Sequence, residues 1–424
     1  MEESEALILL GMWIGSHVLM LNLVRSPNST STLIFCTILL TGVYLLKPAT
    51  SDLSRYSVYF NSGFLTDKPY SITADGDVLV HPRDTTGEPF VQAFRGSPGF
   101  RIAAKILNKL IPQKPFLPRF AVFKERYVAD GAVLIIAMIG IVTLLYACSQ
   151  SILGRQDNVL SILGRPYLYW VPLILGSLFF FMGSQNALRQ FLGVAMFFCA
   201  ITLCFRNRVI GMTIIGVLAL LFHQWTIGFI FLFGMLMLMH ATVSKLEFRD
   251  QVGIKSFVYT LGGLAIGCLI ILAIKMIVWG SVDSISSYVT HNVSSFSEIK
   301  QYVLMDFSEL GSRTSGLAKI TAVGCTIIIS EIILGRNALP SSWDIRGYRL
   351  GLFGLMVPFA IYPEILSRIM LFYFALELFF ICIALVAQEQ RTRLAGAVLF
   401  AGYSIAPNGL NILLGPEWLT YITS

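Results

Sequence analysis

A run of about 20 mostly apolar residues, the length a helix needs to cross a bilayer, recurs along this chain from Ala6 to Leu414 with short polar breaks between copies. In hydrocarbon a backbone must satisfy its own hydrogen bonds, and outside closed barrels only helices do so. With 55% of its 424 residues hydrophobic and 13% charged, the chain could not build a water-soluble surface. The expected fold is an all-α polytopic membrane protein in which residues 1–424 form one integral domain.

The spans fall at 6–24, 31–47, 130–149, 167–184, 187–205, 208–222, 225–241, 256–279, 315–335, 348–362, 367–387 and 394–414, twelve within a range of 10–13. The sixth and seventh are divided where His223, Gln224 and Trp225 interrupt the apolar run. Lys and Arg favour the cytoplasmic side of short loops. One side takes Arg25, Arg155, Arg165, Arg206, Arg208, Lys245, Arg249, Lys255, Arg336, Arg346, Arg349, Arg391 and Arg393; the other keeps Lys47, Arg189, Lys300, Arg313 and Arg368. Both termini then lie outside, as do the long segments 48–129 and 280–314.

The net charge of +7 sits in the joints between apolar runs and reads as a topology signal, not a nucleic-acid surface. Seven cysteines fall within the spans without metal-ligand spacing and read as small apolar fillers. Glu2, Glu3 and Glu5 give the wrong charge for a cleavable signal, so the first helix is expected to stay.

In the first long segment, Ser71–Pro82 reads as a hairpin turning at Asp75-Gly76. At 98–111, Ile102, Ile106, Leu107, Leu110 and Ile111 share a helical face beside a basic stripe of Arg101, Lys105 and Lys109, the pattern of a helix lying on headgroups. The pentapeptide Ser-Ile-Leu-Gly-Arg at 151–155 and 161–165 reads as a local duplication without chemical meaning.

Neither a Gly-rich phosphate loop nor HExxH, a Cys/His cluster or a Gly-x-Ser-x-Gly elbow is present, so hydrolase and nucleotide-driven chemistry lose support. Polar residues instead gather at the outer ends of spans: Asn186, Arg189 and Gln190 at the start of the fifth, His223 after the sixth, Arg313 before the ninth, and Arg368 opening the eleventh. Arginines at helix ends commonly snorkel to headgroups, and a lone histidine is more often structural than catalytic. The outer loops, however, retain few basic residues, and those few need a reason. If these ends converge, they form a cationic pocket with one titratable base. His291 is a weaker candidate. Asp75-Gly76-Asp77 imitates a metal-binding Asp-x-Asp, but the hairpin turn explains it more simply, and no metal or other cofactor is expected.

The segment Asn186–Leu232, with Asn186-Ala-Leu-Arg-Gln190, a basic hinge at Arg206-Asn-Arg208 and Ala219-Leu-Leu-Phe-His223, resembles the EpsG/Wzy-type polysaccharide (O-antigen) polymerases. Ser51–Tyr56, Glu88-Pro89, Pro98-Gly99-Phe100, Ser367-Arg368 and Tyr373-Phe374 extend the likeness over most of the chain. Many relatives carry a serine two residues after the histidine, whereas Trp225 stands here and Thr226 is the nearest hydroxyl.

That resemblance implies a GT-C-like glycosyltransferase of the bacterial inner membrane. It would act at the periplasmic face, moving a growing glycan from undecaprenyl diphosphate to a fresh lipid-linked repeat unit, without metal and with inversion. Its partners would be undecaprenyl-diphosphate-linked oligosaccharide as donor and acceptor, the lipid bilayer, and a chain-length regulator of the Wzz type; no nucleic acid is implied. His223 would be the general base, and Arg189, Arg368 and Arg313 would bind the diphosphate. Asn186, Gln190, Tyr56 and Tyr373 would contact substrate, with Tyr59, Tyr70 and Phe90 as further sugar platforms. Two rival readings are a lipid-linked oligosaccharide flippase, which would use charges within spans such as Lys275, Lys319, Glu331 and Glu377, and a membrane-bound acyltransferase.

Overall fold

The computed structural model describes residues 3–26, 29–46, 70–72, 78–80, 98–110, 131–153, 168, 170–177, 180, 188–223, 225–245, 252–279, 310–334, 343–385, 387 and 389–414. In chain order these hold α1 (Glu3–Arg25), α2 (Thr30–Leu46), β1 (Tyr70–Ile72), β2 (Val78–Val80), α3 (Pro98–Leu110), α4 (Gly131–Leu153), α5 (Trp170–Gly176), α6 (Leu188–Phe205) and α7 (Val209–Phe222). There follow α8 (Thr226–Lys245), α9 (Val252–Trp279), α10 (Leu310–Leu334), α11 (Trp343–Met356), a 3-10 turn (Val357–Ile361), α12 (Pro363–Leu385) and α13 (Gln390–Leu414). Among the described residues four helices, α8, α9, α10 and α12, are long and apolar enough to cross a membrane, and shorter apolar helices include α2 and α7. The chain is a helical membrane protein. Tyr56, Asn186, His291, Asp75-Gly76-Asp77 and both Ser-Ile-Leu-Gly-Arg copies beyond Leu153 lie outside the described residues, as does the side chain of Arg313.

The chain divides into two compact units, residues 1–226 with 386–422, and residues 227–385 with 423–424. In the first, α1 and α2 pair, and α13 returns to α1, where the His17 ring stacks on Phe400 at 5.7 Å. The His17 Nδ1 is held by the Trp13 carbonyl at 2.8 Å, so this buried polar ring is satisfied locally. Phe191 of α6 fits against Gly140 of α4 and meets Phe180 edge-on at 5.6 Å, fixing the start of α6. Strands β1 and β2 pair antiparallel, Tyr70 opposite Val80 and Ile72 opposite Val78.

Within the span expected at 167–184, α5 ends at Gly176 and the chain bends at Ser177. Ser177 Oγ donates to the Ile174 carbonyl at 2.7 Å and accepts the Phe180 N–H at 3.1 Å, so its hydroxyl takes over bonds that a continuing helix would make. The expected span 348–362 also differs: α11 starts at Trp343 and gives way after Met356 to the 3-10 turn that contains Pro358.

In the second unit α9 crosses α11 on glycine. The backbone of Gly263 abuts Gly351, that of Gly354 abuts Thr260, and that of Gly267 abuts Leu355. Missing side chains let the two backbones approach, which is how helices associate where lipid offers no hydrophobic drive. Of the four long apolar helices α12 is the most buried, with 83% of its apolar stretch buried against 22% for α9.

Candidate functional site

In the first unit the site is built by a two-helix hairpin. Helix α6 ends at Phe205, and the chain reverses through Arg206, Asn207 and Arg208. The Arg208 N–H reaches the Leu203 carbonyl at 2.9 Å, and Asn207 takes a left-handed φ of 56° that asparagine tolerates better than most residues. Helix α7 then runs back along α6 to His223.

At His223 the helix ends: the residue is extended (φ −153°, ψ 114°), and its N–H donates to the Ala219 carbonyl at 3.0 Å. Its own carbonyl accepts the Thr226 N–H at 2.9 Å, which starts α8. Thr226 Oγ1 donates to the same Ala219 carbonyl at 3.1 Å. The bend is thus stitched by three bonds between Ala219 and Thr226, and His223 is only 4% exposed. Opposite it stands Gly193 of α6. A Cβ there would lie 2.9 Å from both His223 Cβ and Thr226 Oγ1, so only glycine admits the bend at this depth. Arg189 precedes Gly193 by four residues, on the same helical face, and is half-buried; Gln190 beside it is buried. Arg189, Gln190 and His223 therefore belong to one corner of the first unit. The N-terminal turn of α3 docks there too: Phe100 is buried, and Gly99 sits on the backbone of Leu221.

In the second unit Arg368 is half-buried in the second turn of α12. Its neighbour Ser367 accepts a hydrogen bond from Lys319 Nζ of α10 at 2.8 Å. Arg313 lies in the first turn of α10, one turn before Gly316, whose backbone abuts Ala360 in the 3-10 turn leading to α12. Lys319, read from the sequence only as a charge within a span, is thus a second cation at the start of α12, held by the residue before Arg368. A basic residue on α10 facing the start of α12 requires a fold to be recognised.

Tyr373, expected to contact sugar, is buried deeper in α12 and donates to Glu377 Oε2 at 2.8 Å. Glu377 pairs with Arg349 Nε at 2.6 Å, and Arg349 Nη1 reaches Glu331 Oε1 at 3.2 Å. Arg346 Nη2 meets Glu331 Oε2 at 2.8 Å, Ser330 Oγ accepts from Arg349 Nη2, and the Arg349 guanidinium lies 4.0 Å from the centroid of the Phe380 ring. Arg346 and Arg349, counted in the sequence as loop residues that mark topology, are buried inside α11. Carboxylates on α10 and α12 draw them in; removing both from the count leaves the charge asymmetry standing.

Comparison of the chain with family models, with curated proteins and with solved structures finds no match. The functional reading rests on the residues themselves.

Proposed function

We propose that the chain is a polysaccharide polymerase of the inner membrane, with about twelve spans in a GT-C-like arrangement, that joins undecaprenyl-diphosphate-linked oligosaccharides at the periplasmic face. The observation that carries this reading is the bend itself. A buried imidazole ends α7 against Gly193 of α6, and a half-buried arginine lies one helical turn before that glycine.

The chemistry asks for little else. An acceptor sugar hydroxyl attacks the anomeric carbon of the donor glycan, and His223 takes the hydroxyl proton as general base. The bond between that carbon and the diphosphate oxygen breaks, inverting the centre, and undecaprenyl diphosphate leaves with the electron pair. Negative charge grows on the leaving diphosphate, and guanidinium groups meet it through charge-assisted bonds worth ~1.5–3 kcal/mol each. Two lipid-linked substrates bring two diphosphates. Arg189 serves as the phosphate-binding cation of the first unit, and Arg368 with Lys319 and Arg313 as those of the second. Gln190, Asn186 and Tyr56 are assigned to sugar. Tyr373 is given up as a sugar contact, because its hydroxyl serves Glu377.

A flippase would use charges along its spans. Glu331 and Glu377 are instead engaged by Arg346 and Arg349, and Lys319 by Ser367, which favours the polymerase. Purified protein in liposomes with undecaprenyl-diphosphate-linked repeat units as the sole substrate tests the reading. A glycan ladder that disappears in Arg189→Ala and His223→Ala, with both variants folded, is expected. Transbilayer movement without new bonds would reassign the chain as a flippase, and product only on addition of an acyl donor as an acyltransferase.

A further inference from the structure

Helix α3 has two different seats along its length. Its first turn docks on protein, with Phe100 buried and Gly99 so near Leu221 that an added Cβ would come within 3.0 Å of Leu221 Cβ and 3.1 Å of its carbonyl oxygen. Beyond that turn its apolar row leaves the protein: Ile102, Ile106 and Leu110, spaced by four, are 60%, 51% and 73% exposed. Helix α7, on which α3 is seated, itself exposes Ile210, Ile214, Val217 and Leu221. Leu221 belongs to both features, so α3 begins where the exposed apolar stripe of α7 runs out. In a membrane protein such a stripe faces lipid, and its end marks the boundary with the headgroups.

Charge completes the pattern. Within α3, Arg101, Lys105 and Lys109 are spaced by four in register beside the isoleucine row, and the helix contains no Asp or Glu. An apolar row flanked by a basic row suits a helix in the interfacial plane, aliphatic side chains at the acyl boundary and cations among phosphates. An acidic soluble protein would satisfy the basic row and leave the isoleucines in water.

We infer that α3 docks on anionic phospholipid headgroups and thereby braces the bend that holds His223. The connection is short. Leu221 lies two residues before His223, inside the turn whose Ala219 carbonyl collects the His223 N–H and Thr226 Oγ1. A helix held flat on the bilayer keeps Gly99 against that turn, and a helix released from the headgroups withdraws the support. This docking holds whichever reaction the chain performs, and its test does not read product.

The full-length protein, one copy per nanodisc, is placed in phosphatidylcholine alone or with phosphatidylglycerol added, and backbone amide exchange is followed at 98–110 and 219–226. Three basic residues near an anionic surface predict stronger docking by up to about a hundred-fold, so exchange in α3 is expected to slow at least ten-fold with phosphatidylglycerol, with slower exchange at 219–226 alongside it. Arg101→Gln/Lys105→Gln/Lys109→Gln should erase the lipid dependence while exchange in α9 and α12 stays unchanged, and Ile106→Ser should weaken protection in both lipids. Equal protection in the two lipids, or lipid dependence that survives the triple substitution, would overturn headgroup docking. A lipid response in α3 with none at 219–226 would overturn the bracing of His223.

Discussion

The ion cluster on α10, α11 and α12 and the bend between α7 and α8 both take polar side chains out of water, but their charge balance is opposite. The cluster contains two arginines and two glutamates, sums to zero, and spends its donors on its own carboxylates, a serine and a ring face. At the bend Gly193 of α6 meets His223, and Arg189 and Gln190 lie about one turn earlier on the same helix; the sequence holds no Asp or Glu from 158 to 246. A buried charge costs several kcal/mol unless paired. Two arginines matched by two glutamates across three helices read as scaffold, whereas an arginine one turn from a buried imidazole at the end of a span suits the binding of an anionic substrate.

The largest expected effect is on the scaffold. Arg349→Met leaves the wholly buried Glu377 without its ion-pair partner, and breaking one side of such a pair costs about 3–5 kcal/mol. Thermal unfolding in detergent should shift down strongly, or folded protein should be lost; a variant that melts like the wild type would break the comparison at its first half. His223→Ala should do the converse. Polymer formation is expected to fall by ~10²–10⁴-fold, the usual contribution of a general base, in a protein that still folds and whose melting temperature falls less than that of Arg349→Met.

Gly193→Ala tests the bend between these extremes. Its Cβ would meet the His223 Cβ, which no rotamer can move aside, so the hairpin must open by some tenths of an ångström. Overpacking of this kind costs ~1–3 kcal/mol, and the loss should appear in turnover as well as stability, read by polymer rate and melting on one sample. Arg189→Lys keeps the charge but loses the planar fork that binds phosphate bidentately. A fall of about ten-fold in polymer rate, with a rise in the apparent KM for lipid-linked substrate, is expected; equal rates would reduce Arg189 to a membrane anchor.

Much of the fold was legible because membrane helices announce themselves by apolar length. The division at His223 and the basic hinge at Arg206–Arg208 fall where the chain turns, since each interrupts an apolar run with groups that prefer a helix end. The bend at Ser177 was hidden: its hydroxyl bonds both the Ile174 carbonyl and the Phe180 N–H, and serine inside a span usually bonds back without bending the chain out of the helix. Arg346 and Arg349 were misplaced for a different reason. Reading loops for positive charge sees local sequence, whereas their partners Glu331 and Glu377 lie on other helices, 15 and 28 residues away. At the bend, Arg189, Gln190 and His223 stood out as polar residues at apolar boundaries. Gly193 did not, because glycine is common in membrane helices and its contact with His223 exists only once α6 and α7 are folded together.

The smallest effect is the most discriminating. Arg349→Met combined with Glu377→Gln removes both charges of the buried pair, while the amide oxygen still accepts from Tyr373 and Glu331 keeps Arg346. Replacing a whole buried pair by uncharged groups is often neutral or stabilising, so the double variant should melt within about 1 kcal/mol of the wild type even though Arg349→Met alone does not. If the cluster is scaffold, polymer rate returns with stability. A double variant that folds and melts normally yet makes no polymer would mean that the ion pair itself is used during turnover, and neutrality of charge would no longer separate scaffold from site in this chain.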